Sequence, residues 1–561
     1  MATATAGLSD LPDDILRRIL YFAPAKEAAS TAILSRRWRS LWRTSGAVNL
    51  DSRSYAHFHA REFIKKTQAF AGDMPAALAA AEGPVIRKLT LHVEQIIYET
   101  NLAINSSSML TSLLSSPAAA AGTEELRFVI ADDDDGFHSR RHGRYGNMAE
   151  LHFGDLPSES LRVLHVFNCS TLIAPPPPPS PPAAVLFLPR LAELRLRRCG
   201  VRLHDLRRIV EAAPQLATLH LECYHYTPMA ACGIVGNDDG SEIGEEVVPS
   251  CYRIQCPAVT TLVFEACGDW PWKEGGLDLD VPRLQYFRYK GLIHLQNRLS
   301  LKLPASSSNV IRTDLHFVHS DYGDEQVQVR FWEFIQSFNA TKVMKLKLDM
   351  DFNNDHVAMA EKGELFSSNR LFYNLERLEL EVPCEPATAC KTCALFIANL
   401  LRCCPVLRDL HLKLITRPPR TNQTGIQARS DFDKSIDHFR NCRKRRKIVL
   451  NGEEDETYDE VSDIPGLSDH SFDCLKSYLR IVSLQFWMEE PNCFGVQLAK
   501  FFAENAMVLQ EISIDDGNHK MREHVNHMLK RWVPAGSSKR KNLLTTASFR
   551  ESRPRKRQRK D

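Results

Sequence analysis

A short phrase recurs through the middle of this chain and limits its fold more than any other feature. Its clearer copies are Leu161–Val166, Leu191–Leu196, Leu216–Leu221, Val259–Phe264, Leu284–Tyr289, Val343–Leu348, Leu375–Leu380 and Leu407–Leu412. Weaker copies stand at Ile86–Leu91 and Glu124–Phe128. Each reads L-x-x-L-x-L, so alternate residues are apolar and one face of a short strand points inward. From Leu164 to Leu410 the copies recur at roughly 25 to 32 residues, with wider gaps after Leu219 and Phe287; that period is too short for separate domains and fits stacked units sharing one core.

Between the phrases the pattern turns helical. Leu206, Ile209 and Val210 share a face within Leu203–Ala213, which Pro214 stops. Thr392–Cys404 is a second such segment, stopped by Pro405. Strand, turn, helix, Pro, strand is the unit. The predicted fold class is therefore an α/β solenoid, an irregular leucine-rich-repeat array over 84–415. Cys169, Cys199 and Cys267 follow strands where such a repeat takes a small side chain that bonds the turn backbone.

With 561 residues, the chain is too long for one ordinary core and agrees with an extended array. The net charge of +2 excludes little, because the basic residues are concentrated locally. Fifteen cysteines accompany an N terminus without a basic, then apolar, secretory pattern, which predicts reduced thiols in the cytosol or nucleus. No apolar stretch approaches the ~18 residues of a membrane span, so no membrane partner is predicted.

The first residues are of a different kind. Leu11, Ile15, Leu16, Ile19 and Leu20 fall at helical spacing; Ser9 or Asp10 can cap that helix, and Pro12, Asp13 and Asp14 suit its first turn. Lys26–Ile33 is Ala-rich and helical in composition. Ser35 can cap a third helix bearing Trp38, Leu41 and Trp42 at i, i+3, i+4. Three such helices carry more apolar surface than so small a unit can bury, which leaves a partner face or a cap on the following domain as alternatives.

These residues resemble an F-box, the module that docks proteins onto Skp1 in cullin-RING ubiquitin ligases. The resemblance rests on Leu11-Pro12-Asp13-Asp14-Ile15-Leu16, on Ile19-Leu20 and on Leu34-Ser35-Arg36-Arg37-Trp38-Arg39-Ser40-Leu41-Trp42, whose ending is characteristic of plant members. One departure is Ala23-Pro24, where many members have Leu-Pro. The resemblance implies an F-box over 8–48, after a disordered 1–7. It implies Skp1 binding by Leu11, Pro12, Ile15, Leu16, Ile19, Leu20, Leu34, Trp38, Leu41 and Trp42. Through a Skp1-like adaptor it implies a cullin as a further partner.

Insertions interrupt the array. Pro175–Pro182 reads as a stiff spacer or, alternatively, a ligand for a proline-binding domain. Asp132–Asn147 and Val235–Pro249 are polar and Gly-containing. The stretch 416–465 changes sign midway, from Arg440–Lys447 to Glu453–Glu456, and is predicted to be disordered. Cys474–Leu484 then reads as the entry to a strand, Phe494–Glu504 as an amphipathic helix and Val508–Ile514 as another strand. Over 470–516 this resembles the FBD region of plant F-box proteins, through Cys474-Leu475-Lys476, Ala499–Ala506 and Val508-Leu509. From 535 to 561 the tail is basic and predicted to be disordered.

No HExxH, Gly-rich phosphate loop or G-x-S-x-G is present. Cys384, Cys390, Cys393, Cys403 and Cys404 read either as a zinc set or as small buried side chains in a repeat, and the second is adopted, so no metal ligands and no cofactor are predicted. Arg443, Lys444, Arg445, Arg446 and Lys447, with Arg555, Lys556 and Arg557, read as nuclear-import signals. Without interleaved aromatics, nucleic-acid binding is not favoured. The predicted location is nucleus and cytoplasm.

The resemblance implies a non-enzymatic substrate receptor of an SCF (Skp1–cullin–F-box) ubiquitin ligase. The alternative is a leucine-rich scaffold or nuclear regulator with a degenerate F-box. The target is expected on the outward strand positions Arg195, His220, Arg288, Lys345, Lys347, Glu379 and His411, a mostly basic set that predicts an acidic or mixed-charge target protein.

Overall fold

A computed structural model describes residues 11–55, 60–81, 86–95, 106–117, 122–132, 150–169, 171–175, 186–201, 203–222, 251–265, 276–293, 298–302, 310–320, 325–349, 372–384, 389–415, 461–468, 470–486, 492–515, 529 and 532. The N terminus to residue 10, the proline run beyond Pro175, most of the sign-changing insertion and the basic tail lie outside the described residues.

The chain starts with three short helices, α1 (Asp13–Leu20), α2 (Ala25–Ser30) and α3 (Arg36–Arg43). The predicted cap is corrected: α1 starts at Asp13, so Pro12 rather than Ser9 or Asp10 occupies its N-cap, without a side-chain cap. Asp13 and Asp14 in its first turn and Arg17 and Arg18 in its last complement the helix dipole. Pro24 starts α2, which tightens into a 3₁₀ turn at Thr31–Ile33. Ser35 caps α3, its hydroxyl accepting from the Trp38 N–H at 3.5 Å. Leu16, Leu20, Ala28, Trp38 and Leu41 form the core of this module, with Leu11, Ala23 and Trp42 packed against it. Burying each large side chain there contributes roughly 1.5–3 kcal/mol.

No flexible tether follows. Gly46 takes the turn at φ +79°, and its carbonyl accepts from the N–H groups of Arg87 and Lys88 at 2.9 and 3.1 Å. Buried Asn49 donates its side-chain amide to the carbonyls of Tyr21 and Ala23, each at 2.9 Å. The second strand adds Lys88, whose Nζ lies 5.0 Å from the Tyr21 ring and 4.9 Å from the Phe22 ring.

The described residues fall into two compact units, 1–288 with 296–307, and 289–295 with 308–561. In the first, the strands are β1 (Ala47–Asp51), β2 (Lys88–Gln95), β3 (Glu125–Asp132), β4 (Glu150–His152), β5 (Val163–Phe167), β6 (Thr171–Ile173), β7 (Glu193–Arg197), β8 (Thr218–Glu222), β9 (Cys251–Gln255), β10 (Thr261–Glu265), β11 (Gly276–Asp280), the start of β12 (Tyr286–Ile293) and β13 (Arg298–Lys302). A parallel row runs β1-β2-β3-β5-β7-β8-β10. Two small parallel sheets, β9-β11-β13 and β4-β6, stand beside it.

Register stacks the repeat leucines. Leu89, Leu126, Leu164, Leu194, Leu219 and Leu262 face one another along the row and are essentially inaccessible. The row begins earlier than residue 84. β1 has no L-x-x-L-x-L phrase and straddles the end of the F-box predicted over 8–48. Its five residues become a strand because each pairs with β2, from Ala47↔Lys88 to Asp51↔His92.

The second unit repeats the arrangement with β14 (Arg312–Ser320), β15 (Val343–Leu348), β16 (Arg377–Pro383), β17 (Asp409–Ile415), β18 (Ile481–Gln485) and β19 (Glu511–Asp515), all parallel and in chain order. Helices Glu325–Gln336, Ala389–Cys403 and Phe494–Asn505 lie between them in sequence. Leu315, Leu346, Leu380, Leu412, Leu484 and Ile514 form the inward ladder. Thr313 is a buried polar member of the neighbouring ladder and is satisfied by the Thr341 hydroxyl at 3.3 Å.

The predicted strand entry begins as the short helix Asp473–Ser477, and β18 itself starts at Ile481. The buried Cys474 thiol points to the Leu401 carbonyl at 3.7 Å, so this turn closes onto the preceding helix before pairing resumes.

Candidate functional site

The N-terminal module divides the residues predicted to bind a partner. Leu16, Leu20, Trp38 and Leu41 are in its own core, and Leu11 and Trp42 are partly buried against it. Pro12 is exposed, as are Ile15 (44%), Ile19 (42%) and Leu34 (67%). Two further residues join the exposed set, Phe22 (60%) and Ile33 (88%). Phe22 was discoverable: Ile15, Ile19 and Phe22 continue one series at i, i+4, i+7. Ile33 carries no such periodicity, because it sits in the 3₁₀ turn.

Polar contacts hold these helices in place. Arg37 reaches Asp13 Oδ1 at 2.6 Å and donates to the Leu11 carbonyl at 2.6 Å, joining α3 to the start of α1. What remains outward is a set of large apolar side chains on a small module. That makes the module a candidate protein-binding face.

The second candidate surface is the outward face of the strands. All seven residues predicted there are outward in their own strands, but the cations among them do not stand free, because each has a carboxylate beside it. Arg195 pairs with Glu193 at 2.5 Å, Arg288 with Glu265 at 2.8 Å, Lys345 with Glu381 at 2.8 Å and Lys347 with Asp349 at 3.3 Å. His411 lies 3.0 Å from Asp409, and Glu379 accepts from Arg377 at 3.0 Å with Arg312 at 3.9 Å. His220 faces Glu222 and Glu265. In each unit the outward strand face is thus charge-balanced. Its acids come from neighbouring columns and strands, which inspection of one phrase at a time does not align.

Histidines recur on this face. Burial holds His92, His165, His220 and His316 below the ordinary imidazole range, although carboxylates stand beside them. His165 Nε2 lies 2.8 Å from Glu193 Oε1, and His316 Nε2 lies 2.8 Å from Asp349 Oδ1. Burial would raise the Glu193 carboxyl, but the His165 hydrogen bond and Arg195 outweigh it and hold it low.

Cys384, Cys393, Cys403 and Cys404 are buried, and the Cys390 side chain lies outside the described residues. Burial pushes Cys403 and Cys474 up to about 12. Cys169 and Cys199 are buried after their strands and bond turn carbonyls, Cys199 to Arg197 at 3.2 Å; Cys267 lies outside the described residues. The import candidates Arg443, Lys444, Arg445, Arg446, Lys447, Arg555, Lys556 and Arg557 lie outside them too. Among the described residues, no helix is long and apolar enough to cross a membrane.

Residues 8–46 match the F-box domain, so the chain carries an F-box domain near its N terminus. A protein of Arabidopsis thaliana named as an FBD-associated F-box protein is 53% identical over 47 residues, 8% of this chain and 25% of the relative. One named as an F-box/LRR-repeat protein is 37% identical over 97 residues, 16% of this chain and 21% of the relative. A third, named as an F-box/FBD/LRR-repeat protein, is 30% identical over 111 residues, 18% of this chain and 24% of the relative. The chain spans a quarter or less of the length of these curated relatives. The plant F-box proteins are the family that fits.

Proposed function

We propose that this chain is a substrate receptor of an SCF-type ubiquitin ligase. The F-box domain is the reason, because proteins that carry it generally act as adaptors in such complexes and are not themselves the enzymes. In this reading Ile15, Ile19, Phe22, Ile33 and Leu34 meet a Skp1-type adaptor, which joins a cullin. The parallel strand rows are leucine-rich repeats, and their outward face takes the target protein. The gain is effective concentration: a target held near a charged conjugating enzyme reacts as if intramolecular.

The observation that supports this most is the split within α1. Its inward residues make a core, while a second apolar series stays exposed although it contributes nothing to that core. The direct attachment of the module through Asn49 and Lys88 suits a receptor, since it holds both binding surfaces of this unit in one frame.

Nuclear entry through Arg443–Lys447 and Arg555–Arg557 belongs to the same proposal. Alanine at these positions should leave a fluorescent fusion mainly cytoplasmic. The deciding experiment compares partners captured by the full chain and by a version without residues 8–44. The adaptor and cullin should disappear from the truncation while target proteins persist or accumulate. If the full chain captures no adaptor, the scaffold reading replaces the ligase reading.

A further inference from the structure

One column of the outward face runs Phe167, Arg197, Glu222, Glu265 across β5, β7, β8 and β10. Two carboxylates therefore stand directly opposite each other on adjacent strands, a pairing that costs free energy when nothing lies between them. Arg197 Nε reaches Glu222 Oε2 at 2.5 Å from the β7 side, and Arg288 Nε reaches Glu265 Oε1 at 2.8 Å. A carboxylate has two oxygens and about four acceptor directions, so an arginine at one oxygen does not exhaust it.

His220 precedes Glu222 by two residues and shares its face. One ligand atom each from His220, Glu222 and Glu265 lies within 4.8 Å of the others. Glu222 is only 8% exposed. His220 Nε2 is shut off from solvent and has no hydrogen-bond partner, although two carboxylates are beside it. A buried unsatisfied nitrogen calls for an occupant.

We propose that His220, Glu222 and Glu265 form a binding site for a divalent transition-metal ion, zinc foremost. Zinc takes imidazole nitrogen and carboxylate oxygen at about 2.0–2.2 Å, with three protein ligands leaving a fourth position open. The three side chains must draw together by roughly an ångström from their present spacing to reach those bond lengths. Arg197 and Arg288 then act as outer partners that orient the ligating carboxylates. The imidazole sets the selectivity, because calcium and magnesium favour all-oxygen sites. This inference replaces the expectation of no metal ligands, and it does not rest on the ligase reading.

The test uses the full chain, stripped of metal by chelation, with Zn²⁺ in calorimetry and Co²⁺ in absorption spectroscopy. Zn²⁺ should bind at one equivalent at this site and raise the thermal midpoint of the wild type. Co²⁺ should give visible ligand-field bands without a thiolate charge-transfer band. His220→Ala and Glu265→Gln should each weaken binding by at least about tenfold. Circular dichroism without metal checks that the variants fold; if His220→Ala does not fold, the Glu265→Gln result decides alone. Absence of binding by the wild type overturns the site. So does unchanged affinity in Glu265→Gln, or a thiolate band, which would move the metal to the cysteines.

Discussion

Ile15 and Leu16 are consecutive residues of α1, yet Ile15 is 44% exposed and Leu16 is wholly inaccessible. A helix turns by about 100° per residue, so neighbours point to different faces. The two apolar series of this short helix therefore have separate tasks.

Asp substitutions should separate those tasks. Ile15→Asp loses an apolar contact of roughly 1.5–3 kcal/mol and places a charge in the interface, so adaptor affinity should fall more than about a hundredfold. The thermal midpoint should stay near wild type. Leu16→Asp should instead unfold the module, with at least about 3 kcal/mol lost. Adaptor capture and thermal unfolding on the same preparations read both effects. Equal loss of stability in the two variants would reject the division.

Lys345 is not a free basic residue, which changes how the strand face must be probed. Its ion pair is with Glu381, and its register neighbours are Asp314 and Glu379. Lys345→Glu would face three carboxylates. It should lower stability by about 1 kcal/mol, as suits a partly exposed pair. Adding Glu381→Lys should recover most of that loss. Target capture is interpretable only in the swapped variant, by pull-down beside chemical denaturation.

Acidification should destabilise the fold before the carboxylates titrate. His92, His165, His220 and His316 are held low in the folded chain, mainly by burial. The unfolded chain binds protons on them first, near pH 6.5. Their contribution is therefore fully present above that pH and is lost as pH falls toward the folded values. The thermal midpoint should drop between pH 7.5 and 5.5, and His165→Gln with His316→Gln should flatten the slope. A midpoint independent of pH over that range would contradict the assignment.

Gly495 allows a close approach that no side chain would tolerate. A Cβ there would lie 2.3 Å from the ring of Phe486, which is buried just after β18. Gly495→Ala should therefore cost about 1–3 kcal/mol despite its better helix propensity. Denaturant unfolding measures this, and Phe486→Leu with Gly495→Ala should relieve part of the cost.

The repeats were legible because their signal is local. Alternation in Leu191–Leu196 depends on the period of a strand, and the helix between Leu203 and Ala213 depends on its own periodicity and Pro214. The N-terminal helices were legible for the same reason, down to the Ser35 cap. β1 was not, since Ala47–Asp51 becomes a strand only by lying against β2, far along the chain. Nor was the choice between Ile15 and Leu16, because both belong to apolar series and only packing against Trp38 and Leu41 selects one. The balance of the outward face was hidden too: Lys345 meets Glu381, and Glu222 meets Glu265, only after register aligns separate repeats. By itself the sequence determined which residues alternate and where Pro214 and Pro405 stop the helices between repeats. Tertiary structure decided which apolar face is spent on the core and which charges meet, because both depend on contacts between segments that no local period encodes.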